Sequence, residues 1–123
     1  MTAPHLEKGK RGEDLACRYL RNLGWTVLER NVRFRRGELD IVARDGDTLV
    51  IVEVRFRTTG IIMSPEDSVG PRKLRRLVIA GAAYVEKTGW NGFWRIDLIA
   101  LTERKGRLFL NHCRDITGGD VVL

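Results

Sequence analysis

The sequence predicts an α/β fold: a mixed β-sheet flanked by helices, in the order helix, three strands, helix, two strands. Three observations predict it. An amphipathic helical stretch opens the chain. A second one, begun by Pro71, interrupts the run of strands. Segments rich in β-branched and aromatic residues, bounded by turn residues, fill the space between. With 123 residues and 43% hydrophobic content, the chain suits one domain over 1–123, with 114–123 an irregular tail.

The first helix is expected over about Lys8 to Leu23. Leu15, Ala16, Tyr19, Leu20 and Leu23 recur on one face at the helical period, and Gly24 supplies a stop. Trp25 to Phe34 reads as a strand, Arg35-Arg36-Gly37 as a turn, and Glu38 to Ala43 as a second strand. Asp45-Gly46 is a hairpin signal, and Leu49 to Phe56 is a third strand. Thr58 to Gly70 is a loop whose apolar Ile61, Ile62 and Met63 either tuck into the core or meet a partner. Leu74, Leu77, Val78, Gly81, Tyr84 and Val85 form the inner stripe of the second helix, which Gly89 ends. Phe93 to Leu101 and Arg107 to Cys113 are the last strands, around a turn at Glu103 to Gly106. The helical crossover from the third strand to the fourth makes that pair parallel.

Charge narrows the partners. Lys and Arg number 22 against 16 acids, a formal net charge of +6. This favours an anionic partner, nucleic acid first, with plain solubility as the alternative. Cys17 and Cys113 lie far apart, no secretory leader is visible and no apolar run is long enough to span a bilayer. A cytoplasmic protein with both thiols reduced is the expectation. Only His5 and His112 are present, which argues against a histidine-rich zinc site or a Ser-His triad. Trp25, Trp90 and Trp94 suit either base stacking or the core.

The stretch GELDIVARDGDTLVIVEVRFR carries two acids where apolar strands should face each other. A tip that pairs Arg44 with Leu49 sets Asp40 opposite Glu53, and Arg55 shares a face with Glu53. Opposed like charges destabilise a sheet. Either Arg55 pairs with one acid, or a divalent cation sits between both. Mg²⁺ is commonly held by one or two carboxylates and several waters. Glu13, at the rim of the first helix's buried face, reaches toward the same place, while Asp14 points to solvent.

The spacing of Asp40, Glu53 and Arg55 resembles the split D…(D/E)-x-K signature of the PD-(D/E)XK nuclease superfamily. More closely, GKRGEDLACRYL, ERNVRFRRGELDIVARDGDTLVIVEVRFR, VGPRKLRRLVIAGAAYV and RIDLIAL resemble the YraN-like family of bacterial proteins. The resemblance implies a restriction-endonuclease-like, Holliday-junction-resolvase-like fold with an αβββαβ core. It implies a metal-dependent nuclease acting on DNA, structured or branched DNA included, and possible pairing into a homodimer. It implies catalytic roles for Glu13, Asp40, Glu53 and Arg55, with Mg²⁺ or Mn²⁺ held by Asp40, Glu53 and the Val54 carbonyl. Arg55 stands where the superfamily usually has lysine. Arginine stays charged, so it keeps electrostatic roles and cannot act as general base. Glu38 becomes a further rim acid, Lys73 a phosphate contact and Asp97 the partner of a basic side chain.

Arg30, Arg33, Arg35 and Arg36 cluster before the hairpin, and Arg72, Lys73, Arg75 and Arg76 open the second helix. Arg33, Arg35, Arg36, Arg72, Lys73 and Arg76 are the expected nucleic-acid contacts, giving affinity without sequence preference. The competing readings are a non-catalytic nucleic-acid-binding module on the same scaffold, and a protein-interaction component using Ile61 to Met63.

Overall fold

The structure, a computed structural model, describes residues 4–58 and 69–118. The elements are α1 (Pro4–Asn22), β1 (Thr26–Phe34), β2 (Gly37–Asp45), β3 (Thr48–Thr58), α2 (Pro71–Thr88), β4 (Trp94–Arg104) and β5 (Arg107–Cys113). The five strands form one sheet in the order β1-β2-β3-β4-β5, with β3 and β4 parallel and the other neighbours antiparallel. This is the predicted α/β order, with α1 beginning earlier than Lys8 and β4 running on to Arg104. The apolar tip Ile61 to Met63 and the last residues of the tail lie outside the described residues.

Each face of the sheet buries one helix, so strand residues alternate between two cores. Ala16, Cys17 and Leu20 of α1 pack with Ile41, Ala43, Val50, Val52, Ile99 and Leu101. Leu77, Ala80 and Tyr84 of α2 pack with Val42, Leu49, Ile51 and Ile96. Leu23, expected on the inner stripe, is 43% exposed, because the helix ends at Asn22 and Gly24 turns the chain away. Gly81 lets α2 lie close to the sheet: a Cβ there would stand 2.5 Å from the Trp94 ring. Trp25 is buried in the α1 core, and Trp90 and Trp94 pack against the α2 core. The three rings therefore serve packing. Cys17 and Cys113 form no disulfide.

The hairpin register follows the predicted pairing. Arg44 faces Leu49 and Asp45 faces Thr48, over a two-residue Gly46-Asp47 tip in which Gly46 has φ +59. Positive φ at the tip is what glycine tolerates without steric cost. The regular β2/β3 register ends at Ile41 and Val52.

Alternation also breaks beside that point. Ile41 belongs to the α1 core, whereas Leu39, two residues earlier, is wholly buried in the α2 core. On β1, Arg30 pairs with Ile41 and Val32 with Leu39. Asn31, between them, has φ +53. The two strands thus change phase together at Asn31 and Asp40.

Candidate functional site: a carboxylate pair beside a basic groove

Asp40 sits at the phase change, where β2 parts from β3. Its Oδ2 accepts the Val54 amide at 2.9 Å. A side-chain carboxylate thus takes a strand N–H that a backbone carbonyl would otherwise hold. Glu53, one residue earlier on β3, is only 3% exposed and hydrogen-bonds to the Asp40 carboxyl. Burial first, then that hydrogen bond and the Asp40 charge, push the Glu53 carboxyl up to about 8, against opposing pulls from Lys73 and Arg55.

Lys73, on the first turns of α2, places Nζ 3.3 Å from Glu53 Oε2. The contact is electrostatic rather than a directed hydrogen bond: Oε2 is buried and has no hydrogen-bond partner. Arg55 is close enough to influence Glu53, yet its Nε is buried and likewise unpartnered. The sequence reading offered Arg55 as the ion-pair partner of the acids and Lys73 as a phosphate contact. The structure puts Lys73 on the acid, because α2 packs on the face of β3 that Glu53 shares with Leu49 and Ile51.

Glu13 reaches the same region from the α1 side. Burial raises its pKa first, the Asp40 charge adds to this, and Arg30 and a hydrogen bond with Asn31 oppose it. Its Oε1 is buried without a hydrogen-bond partner, 3.7 Å from Arg30 Nη2. Arg30 itself bonds Asp14 at 2.8 Å, so it serves α1 rather than the basic track. Asn31 was missed in the sequence. Asparagine tolerates positive φ better than most residues, which was the only available signal.

The two basic clusters do meet. Arg35 and Arg36 of the β1–β2 turn, with Arg72, Lys73, Arg75 and Arg76 of α2, line a groove of about 580 Å³ that also includes Glu38. Gly37 fits beneath it, 3.4 Å from Ala80 as a Cβ would see it. Pro71 opens α2, no acid stands in its first turn, and no side chain caps it. A helix start without an acid, beside a mainly cationic groove, is an arrangement that suits an anion. Lys73 belongs to both the groove and the carboxylate site. Arg33, by contrast, is 84% exposed, lies 4.0 Å from Glu38 and is not among the groove residues.

A second polar cluster lies on the α1 face. Asp97 is fully buried and accepts from Arg95 Nε at 2.9 Å and from the Asp115 amide at 2.9 Å. His112 Nε2 lies 2.9 Å from Asp97 Oδ2, and Nδ1 lies 2.9 Å from the Tyr19 hydroxyl. A carboxylate only accepts, so Nε2 carries the proton. Burial alone would raise the Asp97 pKa, but hydrogen bonds from His112, Arg95 and the Asp115 amide hold it below the usual range. The expected basic partner of Asp97 is therefore two partners. The cluster ties β4, β5, α1 and the start of the tail together.

Residues 12–101 match Uncharacterised protein family UPF0102. The chain belongs to that family. The UPF0102 protein of Christiangramia forsetii is 39% identical over 113 residues, covering 92% of this chain and 95% of its own. That of Anaeromyxobacter dehalogenans is 42% identical, covering 91% and 84%. That of Streptomyces griseus is 43% identical, covering 89% and 94%. The UPF0102 match contains the site residues Glu13, Asp40, Glu53, Arg55 and Lys73 and the whole groove. Among the described residues of this UPF0102 chain, no helix is long and apolar enough to cross a membrane.

Proposed function

We propose that the chain is a metal-dependent nuclease with a restriction-endonuclease-like fold, hydrolysing phosphodiesters in DNA, structured or branched DNA included. One observation carries the reading: Glu53, buried against Asp40 and keeping one oxygen orphaned, stands beside a groove lined by arginine and lysine.

The donor set fits Mg²⁺ or Mn²⁺. Asp40, Glu53 and the Val54 carbonyl are hard oxygen ligands, and these ions accept one or two carboxylates with water at the remaining positions. Among the described residues no three His, Cys, Asp or Glu side chains form a metal cluster, and water and phosphate would complete the shell. When bound, the ion supplies a water of lowered pKa and polarises the phosphate.

The chain's own groups supply the rest. The groove cations hold the phosphate backbone. Arg55 stays charged and offers its unpartnered Nε to negative charge developing on the phosphate. Glu13, with a free acceptor oxygen, orients a water.

A non-catalytic nucleic-acid-binding module is the second reading. It is favoured by arginine at 55 and by the Lys73 ammonium, which already stands 3.3 Å from Glu53 Oε2. Calorimetric titration of Mn²⁺ into wild type and Asp40→Ala, beside cleavage of four-way and single-stranded DNA, separates the two. Saturable binding lost in the variant, with Mn²⁺-dependent cleavage, supports the nuclease. DNA retention unchanged by the mutation, with no metal uptake, supports the binding module.

A further inference from the structure

We infer that Lys73 couples the groove to the carboxylate pair: it guards Glu53 until a phosphate in the groove draws its ammonium away. The inference rests on the nuclease reading and names a regulation of that site, with a nucleic-acid phosphate as the effector.

Two facts about one side chain carry it. Lys73 Nζ lies 3.3 Å from Glu53 Oε2, the buried oxygen that no hydrogen bond satisfies. The same lysine lines the cationic groove with Arg35, Arg36, Arg72 and Arg76. Its side chain is 37% exposed while that of Glu53 is 4% exposed, so the ammonium has solvent-side room to turn and the Glu53 carboxyl does not. Lysine is a point charge on a flexible stem with rotatable donors, able to exchange one anion for another.

A cation entering between Asp40 and Glu53 meets the Lys73 ammonium at the oxygen it needs. Like charges cannot both hold that position closely. A phosphate in the groove offers Lys73 a second anion, which leaves Glu53 Oε2 open. Metal uptake and phosphate binding then favour each other, and linkage requires the effect to be reciprocal. Uncontrolled metal loading without substrate is suppressed by the same contact.

Lys73 is thus a positioning residue, and its signature differs from that of a simple phosphate contact. The test is DNA binding against salt, by fluorescence anisotropy with a phosphorothioate duplex, for wild type, Lys73→Met and Lys73→Arg, with and without Mn²⁺. With Mn²⁺, Lys73→Met flattens the slope of log K on log salt by about 0.9, one phosphate contact. Without Mn²⁺ the flattening is smaller, because Glu53 then competes with the phosphate for Lys73. Lys73→Arg keeps the wild-type slope in both conditions, which excludes misfolding as the cause. Calorimetry on the DNA-free proteins adds a second readout: Mn²⁺ binds Lys73→Met about tenfold more tightly than wild type.

Equal flattening with and without Mn²⁺ makes Lys73 an ordinary phosphate contact and overturns the coupling. No flattening in either condition makes it a structural ion pair and overturns it equally. In both cases the nuclease reading stands so long as wild type binds Mn²⁺. A wild type that takes up no Mn²⁺, or holds no DNA, overturns that reading and the coupling with it.

Discussion

Asp40 and Glu53 share a hydrogen bond at the point where their strands stop pairing. The last regular β2/β3 pair is Ile41 with Val52, and the Val54 amide turns to Asp40 Oδ2 instead of a backbone carbonyl. The opening between the strands therefore holds two carboxyls, one half-buried and one buried. Removing the charge at 40 should lower the Glu53 pKa from about 8 without returning it to its ordinary value of 4.5. Burial is the largest cause of the shift and survives the substitution. Carbon-detected NMR titration of Glu53 in Asp40→Asn reads this directly. An unmoved titration would mean that Asp40 plays no part in it.

The same raised pKa fixes a sign for stability. Glu53 in the folded chain holds its proton between 4.5 and about 8, where the unfolded chain has lost it. The folded state binds more protons there, so stability falls as pH rises. The contribution is fully present below 4.5 and is gone once pH passes about 8. Thermal midpoints of wild type should decline from pH 6 to pH 9 more steeply than those of Glu53→Gln. Saturating Mn²⁺ should flatten the wild-type decline, since the ion binds the ionised carboxylate and releases its proton. Parallel pH profiles for the two proteins would contradict the assignment.

Much of the site was legible because β-strands have a period of two and the hairpin has a short tip. Once Arg44 pairs with Leu49, Asp40 and Glu53 must converge. The element order was legible from Pro71, Gly89 and the two helical stripes. Three features were not. The phase change at Asn31 and Asp40 depends on a positive φ that no periodicity signals. The Lys73–Glu53 pair joins two elements across a loop, and only the packed height of α2 on β3 selects Lys73 rather than Arg72 or Arg76. His112 is a single histidine on a strand until folding brings Asp97 and Tyr19 to its two nitrogens.

That buried cluster predicts a large stability effect. Asp97→Ala leaves Arg95 Nε, the His112 Nε2–H and the Asp115 amide without their acceptor, while Arg95 Nη2 keeps Asp45. Breaking a buried, charge-assisted network of this kind costs about 3–5 kcal/mol. Its lowered pKa means that the contribution is present above the ordinary carboxylate range and is lost as pH falls through the folded value. Urea unfolding at neutral pH should show the loss, and at strongly acid pH the gap between wild type and variant should narrow. A loss below 1 kcal/mol (about the effect of an exposed pair) would show the cluster to be dispensable.

Gly81 tests the packing of α2 that brings Lys73 to Glu53. A Cβ at 81 meets the Trp94 ring at 2.5 Å and Ile51 at 3.4 Å. Alanine is the better helix former by about 1 kcal/mol. Overpacking opposes this with about 1–3 kcal/mol, so Gly81→Ala should be neutral to destabilising despite its helix propensity. Denaturant midpoints compared with an exposed control, such as Lys87→Ala on the same helix, separate the two effects. Stabilisation by the full propensity gain would show that the Trp94 ring moves aside freely.

The groove separates arginines that the sequence alone had grouped. Arg35 and Arg76 line it, while Arg33 projects into solvent beside Glu38. Each groove cation that neutralises a phosphate contributes about 0.9 to the salt slope of binding, whatever the base sequence. Arg35→Gln and Arg76→Gln should each weaken DNA binding and flatten that slope by about this amount. Arg33→Gln should leave the slope within error of wild type, because its side chain is not among those lining the groove. Anisotropy titrations over a range of salt on two unrelated duplexes distinguish the cases. Equal losses for all three variants would mean that general surface charge, rather than the groove between the β1–β2 turn and α2, holds the nucleic acid.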